Sequence, residues 1–415
     1  MCRKNAPIRR YILSCCLGFF GLGSACLAQN QDTTVWIAPN AVPPDTLIGD
    51  ADALVRRNAE LDAAPLDTLT QTTKWQRFVG KISDLHFLAV PSISVSPETS
   101  WAFGVAGAYY FTAKGQSRLS DVGFDAAYTL RHQWNVNINS TIYLNHWQIW
   151  TRVGYRKYPD YYYGRGNQYG ERQKNPIAYN ASNAYLTLQP QYNIDKHWSI
   201  GGNVVIYYDD AKTETELPEQ VAGLNEKLLM LGVGVIASYD TRDEVYYPSK
   251  GLLAKMMLTH YESPLNTDYR MGKLNLDFRH YITLHRQLIF AYQFRSEMSF
   301  GKDIPYQMRS ILGGRDLVRG IRQGMFSDNA YFALQGELRY PIWKVIRGTF
   351  FCGIGDVYNF SNWQWVRPKV GYGAGLRVAI NKSKVNIRFD VARNNIISFG
   401  KSGCWSFYLT MKEAF

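Results

Sequence analysis

From Leu85 to the terminal Phe415 the chain is written in period two: apolar residues alternate with polar, often charged ones in runs of about ten, separated by turn residues. Alternation sends successive side chains to opposite faces of a strand, so each run defines one apolar and one polar face. In the last run Trp405, Phe407, Leu409, Met411 and Phe415 share one side, and Ser406, Tyr408, Thr410 and Lys412 the other. Only Glu413 interrupts the apolar side. The same parity sets Leu274, Leu276 and Phe278 against Lys273, Asp277 and Arg279, and Leu288, Phe290, Tyr292 and Phe294 against Arg295 and Glu297. Val385, Ile387, Phe389 and Val391 likewise oppose Arg388 and Asp390. A soluble β-sandwich would share this periodicity, with the apolar face as its core. The number and length of the runs favour a transmembrane barrel, as do 29 Tyr within an aromatic content of 14%, which suits interfacial girdles.

A 415-residue chain is long for one ordinary soluble domain, yet its mean hydropathy is only −0.27. No stretch after residue 30 has the roughly 20 consecutive apolar residues of a membrane helix. Residues 1–28 read as an export signal: Arg3, Lys4, Arg9 and Arg10 precede an apolar core from Ile12 to Cys26, and small residues lead to a cut after Ala28. Acylation of Cys26 is the alternative, although the usual leucine three residues earlier is missing. Four of the six Cys lie in this leader, leaving Cys352 and Cys404. Three strands separate these two, roughly 14 Å, which is beyond the reach of a disulfide. The formal charge of +12 is spread over strands and loops rather than gathered on one helix, which argues for a solvated lumen or lipid head groups and against nucleic acid.

Residues 29–83 form a short polar periplasmic segment with Pro39, Pro43, Pro44 and Pro65, and with helical spacing of Trp75, Phe78, Val79 and Ile82. Either a helix seated on the barrel's inner rim or a loose linker fits that pattern. Residues 84–415 form the barrel domain, with sixteen antiparallel strands expected to begin near 86, 101, 118, 135, 147, 179, 198, 228, 251, 269, 287, 330, 346, 367, 384 and 403. An even count suits a bacterial barrel. The connections alternate long and short, with 158–178, 209–227 and 298–329 long, as outer loops and periplasmic turns do.

The connection after the eleventh strand reads Leu312-Gly313-Gly314-Arg315-Asp316-Leu317-Val318-Arg319-Gly320-Ile321, and the next strand reads Ala333-Leu334-Gln335-Gly336-Glu337-Leu338-Arg339-Tyr340-Pro341. Ser96-Pro97-Glu98-Thr99, Tyr239-Asp240-Thr241-Arg242-Asp243 and Tyr247-Pro248-Ser249-Lys250-Gly251 add further matches in the same order. Over residues 85–415 the chain closely resembles the outer-membrane protein assembly factor (BamA/TamA) family, the bacterial surface antigen barrel domain. The resemblance implies a bacterial outer-membrane protein whose sixth outer loop folds back into the lumen. Its tip, Val318, Arg319, Gly320 and Ile321, would dock on Glu337, with Gly313, Gly314, Arg339 and Asp356 assisting. The last strand, with Phe407, Leu409, Met411 and Phe415, resembles the signal read during barrel assembly. Implied partners are outer-membrane lipid and unfolded outer-membrane proteins or an assembly partner.

Two residues depart from the family pattern. Ile321 replaces the usual aromatic, and Gly353 stands where relatives tend to carry a second lumenal acid. Asp356 has the opposite parity and could substitute only through a bulge. The segment 29–83 is also shorter than one of the family's periplasmic repeat domains, so the expected protein lacks them.

Nothing in the sequence asks for a cofactor, a metal or an enzyme. There is no Gly-x-Ser-x-Gly, His-Glu-x-x-His or phosphate loop. Ser398 and Lys401 fit a Ser-x-x-Lys pattern by chance in a short loop, and His280 and His285 have unlike parity. Asp209, Asp210, Glu214 and Glu216 read as a solvated acidic loop or a weak calcium site. The expected function is insertion or export of other proteins through an openable seam between the first and last strands. Pro91, Ser92, Ser94 and Ser96 would pair poorly with the last strand near Gly403. The alternative is a scaffold that binds a partner through outer loops, chiefly the Tyr-rich 158–178. A closed barrel leaves no free edge, so the protein should migrate differently on gels with and without boiling; identical mobility would exclude it.

Overall fold

The computed structural model describes residues 87–96, 100–114, 118–130, 132–168, 171–215, 221–266, 268–285, 287–343, 346–361, 368–379, 386–396, 405–411 and 413–415. The leader, the 29–83 segment, Cys404 and the Ser398–Lys401 pattern lie outside these residues.

Period-two patterning yields long strands: β1 (Phe87–Ser96), β2 (Ser100–Phe111), β3 (Ser120–Thr129), β4 (Trp134–Leu144), β5 (Trp147–Tyr162) and β6 (Ile177–Asn193). Next come β7 (Trp198–Lys212), β8 (Lys227–Asp240), β9 (Gly251–Glu262), β10 (Arg270–His285) and β11 (Leu288–Gly301). After a small hairpin of β12 (Ser310–Leu312) and β13 (Phe326–Asp328) follow β14 (Ala330–Trp343), β15 (Ile346–Tyr358), β16 (Lys369–Ala379), β17 (Asn386–Asn394) and β18 (Trp405–Met411). The hairpin apart, each strand pairs with the next, giving a 16-stranded antiparallel sheet in the order β1 to β11 and then β14 to β18. Each of these strands starts within two residues of the position expected from patterning.

Connections alternate between the sheet's two ends. The long ones, 163–176, 213–226 and 302–329, share one end, here the loop end; 145–146, 194–197 and 241–250 lie at the turn end. Strand length peaks at 17 residues in β6 and falls to 7 in β18. Among the described residues no ladder joins β1 to β18, so these two are the sheet's edges.

Burial identifies which face is which. In β8, Val233 is 67% exposed and Val235 and Leu231 are also exposed, while Leu228, Met230 and Ile236 are buried. In β14, Leu334 is exposed, whereas Gln335, Glu337 and Arg339 are buried. Phe350, Leu376, Phe389 and Phe407 continue the outward apolar band. A water-soluble sandwich would show the reverse arrangement. No described helix is long and apolar enough to cross a membrane.

Close backbone approach explains two inward glycines. A Cβ on Gly371 would stand 2.0 Å from the Arg319 carbonyl, and one on Gly353 would stand 3.3 Å from the Val318 Cα. These positions admit a chain segment lying directly against the inner face.

Burying the apolar band in lipid makes charge there costly. Val233→Lys, at the middle of β8, is expected to cost about 2–4 kcal/mol, read as a reduced folded fraction on refolding into bilayers. Thr141→Lys, inward and opposite Asp121 in the β3–β4 register, should be tolerated.

Candidate functional site: a charged cluster under the long loop

The segment 302–329 enters the inner face at its tip. Left-handed backbone makes the turn possible: φ is +98° at Gly313, +115° at Gly314 and +101° at Gly320. Val318 also has a positive φ, 45°, a strained conformation for a β-branched residue that costs on the order of 1–3 kcal/mol. Surrounding contacts hold it there. The Val318 N–H donates to Gln335 Oε1 at 3.1 Å, and Gly314 N–H donates to the Ile321 carbonyl at 2.9 Å. Ile321 is fully buried with Leu312, Leu317, Val318, Phe326, Tyr331, Ala333 and Val357, so an aliphatic side chain fills this position.

Arg319 is 1% exposed and makes two carboxylate contacts. Its Nη2 donates to Glu337 Oε1, and its Nη1 donates to Asp390 Oδ2 at 2.6 Å. The guanidinium lies over the Phe351 ring, 3.6 Å from its centroid. Tyr408 Oη accepts from the Gly320 N–H at 3.0 Å, and Asn394 Nδ2 donates to the Gly320 carbonyl at 2.7 Å. The tip therefore touches β14, β15, β17 and β18 at once.

Three more arginines surround the same acids. Arg339 Nε donates to Glu337 Oε2 at 2.9 Å, and Arg377 donates to Asp390 Oδ1 and, at 2.8 Å, to Glu413 Oε2. Arg388 Nη2 reaches Asp316 Oδ1 at 2.8 Å and the Arg315 carbonyl at 3.0 Å, tying the loop to β17. Four guanidiniums thus face four carboxylates, Glu337, Asp390, Glu413 and Asp316. That balance matters, because an unpaired ion taken out of water costs several kcal/mol.

Asp356 does not assist Arg319. It is buried and accepts from Lys369 Nζ at 2.6 Å, and the same ammonium also donates to the Asn167 carbonyl and lies over the Phe326 ring. The reason is register: β14 and β15 pair without a shift near Asp356, so no bulge turns it toward the tip. The second acid is Asp390, two strands further on. Gly353 instead gives the room that Val318 occupies.

Phe415 does not continue the outward face of β18. Among the described residues strand pairing reaches Met411, and Phe415 is 4% exposed against Tyr281 and Ala291 on the inner side. Arg339 Nη2 donates to the Phe415 carbonyl at 3.0 Å, and Asn386 Nδ2 donates to Glu413 Oε1 at 2.8 Å. Glu413 cannot remain on an apolar face, so it turns inward to Arg377 and Phe415 follows. Phe407 stays outward at 47% exposure, and Leu409 is half-buried.

Asp390, Arg377, Arg388, Tyr408 and Glu413 are the members that motif reading missed. Parity already placed Arg388 and Asp390 inward, and the break at Glu413 was visible. Among the described residues there is no group of three or more His, Cys, Asp and Glu placed to hold a metal.

An antiparallel sheet with an apolar outer face, and a long loop docked by arginine on an acidic inner face, is the architecture of a BamA/TamA-like barrel. The Omp85 superfamily domain matches residues 106–400, and the chain belongs to the Omp85 superfamily. Among solved structures it is similar to BamA from Haemophilus ducreyi lacking POTRA domains 1–3, with 14% identity and a TM-score of 0.51 over 78% of this chain and 69% of that one. CdiB from Acinetobacter baumannii is also similar, with 13% identity and a TM-score of 0.49 over 77% of this chain and 58% of that one. No curated protein sequence matches.

Removing one partner of an isolated buried ion pair costs about 3–5 kcal/mol, and less is expected here because Arg319 keeps Asp390 and Glu337 keeps Arg339. Arg319→Ala and Glu337→Ala should each loosen 302–329, seen as faster protease clipping, and Glu337→Ala should cost more because it also takes away the carboxylate of Arg339. The double variant should fall well short of the sum; additive effects would mean that the pair does not form.

Proposed function

We propose that this chain is a sixteen-stranded outer-membrane barrel that assists the insertion or export of other proteins through an openable seam between β1 and β18. Membership of the Omp85 superfamily supports the class of activity. The outward apolar band supports residence in a bilayer. The observation that carries the reading is the Arg319 tip, which binds β14, β15, β17 and β18 together and so braces the strands next to one edge of the seam. No covalent step is involved. The work is done by backbone groups at the edges, which an incoming strand can pair with.

The seam is the sheet's weakest junction on two counts. Among the described residues β18 spans 7, and β1 contains Pro91, which has no N–H to give to a ladder. The partners are outer-membrane lipid and unfolded outer-membrane proteins. A scaffold that binds through 158–178 has less support, because Tyr158, Tyr162 and Tyr163 of that segment are buried and Arg165 is paired with Asp328 at 2.7 Å.

A panel of cysteine pairs, one in β1 over 87–93 and one in β18 over 405–409, tests the seam. The oxidised protein should keep its heat-shifted gel mobility but lose its ability to accelerate folding of a second outer-membrane barrel into vesicles, and reduction should restore it. Full activity in the locked form would leave the scaffold reading ahead.

A further inference from the structure

The turn 241–250 connects β8 and β9, far along the sheet from either edge, yet its tip reaches strands near both edges. Tyr246 Oη donates to Asp121 Oδ1 on β3 at 2.8 Å, and the Tyr246 ring meets Tyr110 of β2 edge to face, centroids 6.1 Å apart. Ala108 and Leu119 complete that seat. The neighbouring Tyr247 points the other way. The guanidinium of Arg347 on β15 lies 4.3 Å from its ring centroid, and that of Arg339 on β14 lies 5.5 Å away. Thr283 Oγ1 on β10 donates to the Ser249 carbonyl at 2.9 Å.

The turn is internally stiff. Asp243 accepts from the backbone N–H groups of Glu244, Ser249 and Lys250 at 3.0, 2.9 and 3.3 Å, and from the Ser249 hydroxyl. Burial pushes the Asp243 carboxyl up, but the Ser249 hydroxyl and these N–H donors outweigh it and hold it below the ordinary carboxylate range. Arg242 is fixed by Asp240 at 2.9 Å, and the same acid meets Arg118 of the β2–β3 connection at 3.5 Å.

We infer that 241–250 is an internal strap that ties β2–β3 to β14–β15 and limits how far the seam can widen. β16, β17, β18 and β1 lie between the two anchorages, and these include both sheet edges. Parting the edges by moving the flanking walls requires Tyr246 to leave Asp121 and Tyr110, or Tyr247 to leave Arg347 and Arg339. The two tyrosines are adjacent, so little slack separates the anchorages. Arg339 also holds Glu337 and the Phe415 carbonyl, so release at Tyr247 reaches the cluster that docks Arg319. The inference rests on the seam reading above, but its test does not depend on insertion activity.

Cys352 on β15 is free and exposed, and Tyr109 on β2 is 46% exposed, so both take probes on the outer face. Spin labels at Cys352 and Tyr109→Cys, with Cys404 and the four cysteines before residue 29 replaced by Ser, report the separation of the two walls in vesicles. Tyr246→Ala combined with Tyr247→Ala should shift the distance distribution to longer, broader values, with Tyr246→Phe giving a smaller broadening. An unchanged distribution in a double variant that folds by its gel shift would overturn the strap. If the double variant does not fold, Tyr246→Phe decides in the same way. A widened distance without insertion activity would sink the seam reading and leave the strap standing; an unchanged distance in an active protein would do the opposite.

Discussion

A guanidinium shut away from water needs a carboxylate, and the architecture of this chain follows from meeting that need at Arg319. Desolvating one ion costs several kcal/mol, so a loop arginine can remain buried only where the receiving wall has already gathered negative charge. Here the wall brings arginines of its own, and acids from three elements balance them. Glu337 serves Arg319 and Arg339, Asp390 serves Arg319 and Arg377, and Glu413 serves Arg377. Shared acceptors make the cluster cooperative, because removing any one member changes the contacts of its neighbours as well. Bringing the loop out of the sheet means rehydrating the whole group.

The cluster also explains features that look unrelated in sequence. Gly371 and Gly353 lie where the loop backbone comes closest to the wall, and a side chain at Gly371 would collide with the Arg319 carbonyl. Val318 accepts a left-handed conformation because Gln335 holds its N–H and buried apolar neighbours hold its side chain. The chain end turns inward after Met411 because Glu413 has an arginine to meet there and only an apolar surface if it stays outside. Phe415 then packs on Tyr281 under Arg339, which connects the end of the last strand to the loop-docking site through one side chain.

On the proposed reading, two braces act on the same seam from different places. The loop tip fastens strands on the β18 side from within, and the 241–250 turn spans from β2–β3 to β14–β15. Both are built from aromatic and arginine side chains with polar ends, which suits an interior that is neither dry nor freely solvated. Among the described residues of the 16-stranded sheet, strand length falls from 17 residues in β6 to 7 in β18 beside that proposed seam, so on this reading the side-chain braces would add to a short strand pairing there.

Alternation is a local property, fixed by residues two apart, and so the sequence by itself determined the strands, their order and which side chains face inward. It put Glu337 and Asp390 on the polar face before any contact was known, and the family resemblance pointed to Arg319 as the partner of Glu337. Only the tertiary structure decided which inward groups meet. Asp390 reaches Arg319 across two strands, whereas Asp356, closer in sequence, is held by Lys369, because cross-strand contact depends on register and sheet curvature that no single run encodes. Only the fold, too, decided that period two stops short of Phe415. A single acid at position 413 outweighs the alternation when buried arginines lie within reach, and that reach is a distance between strands rather than along the chain.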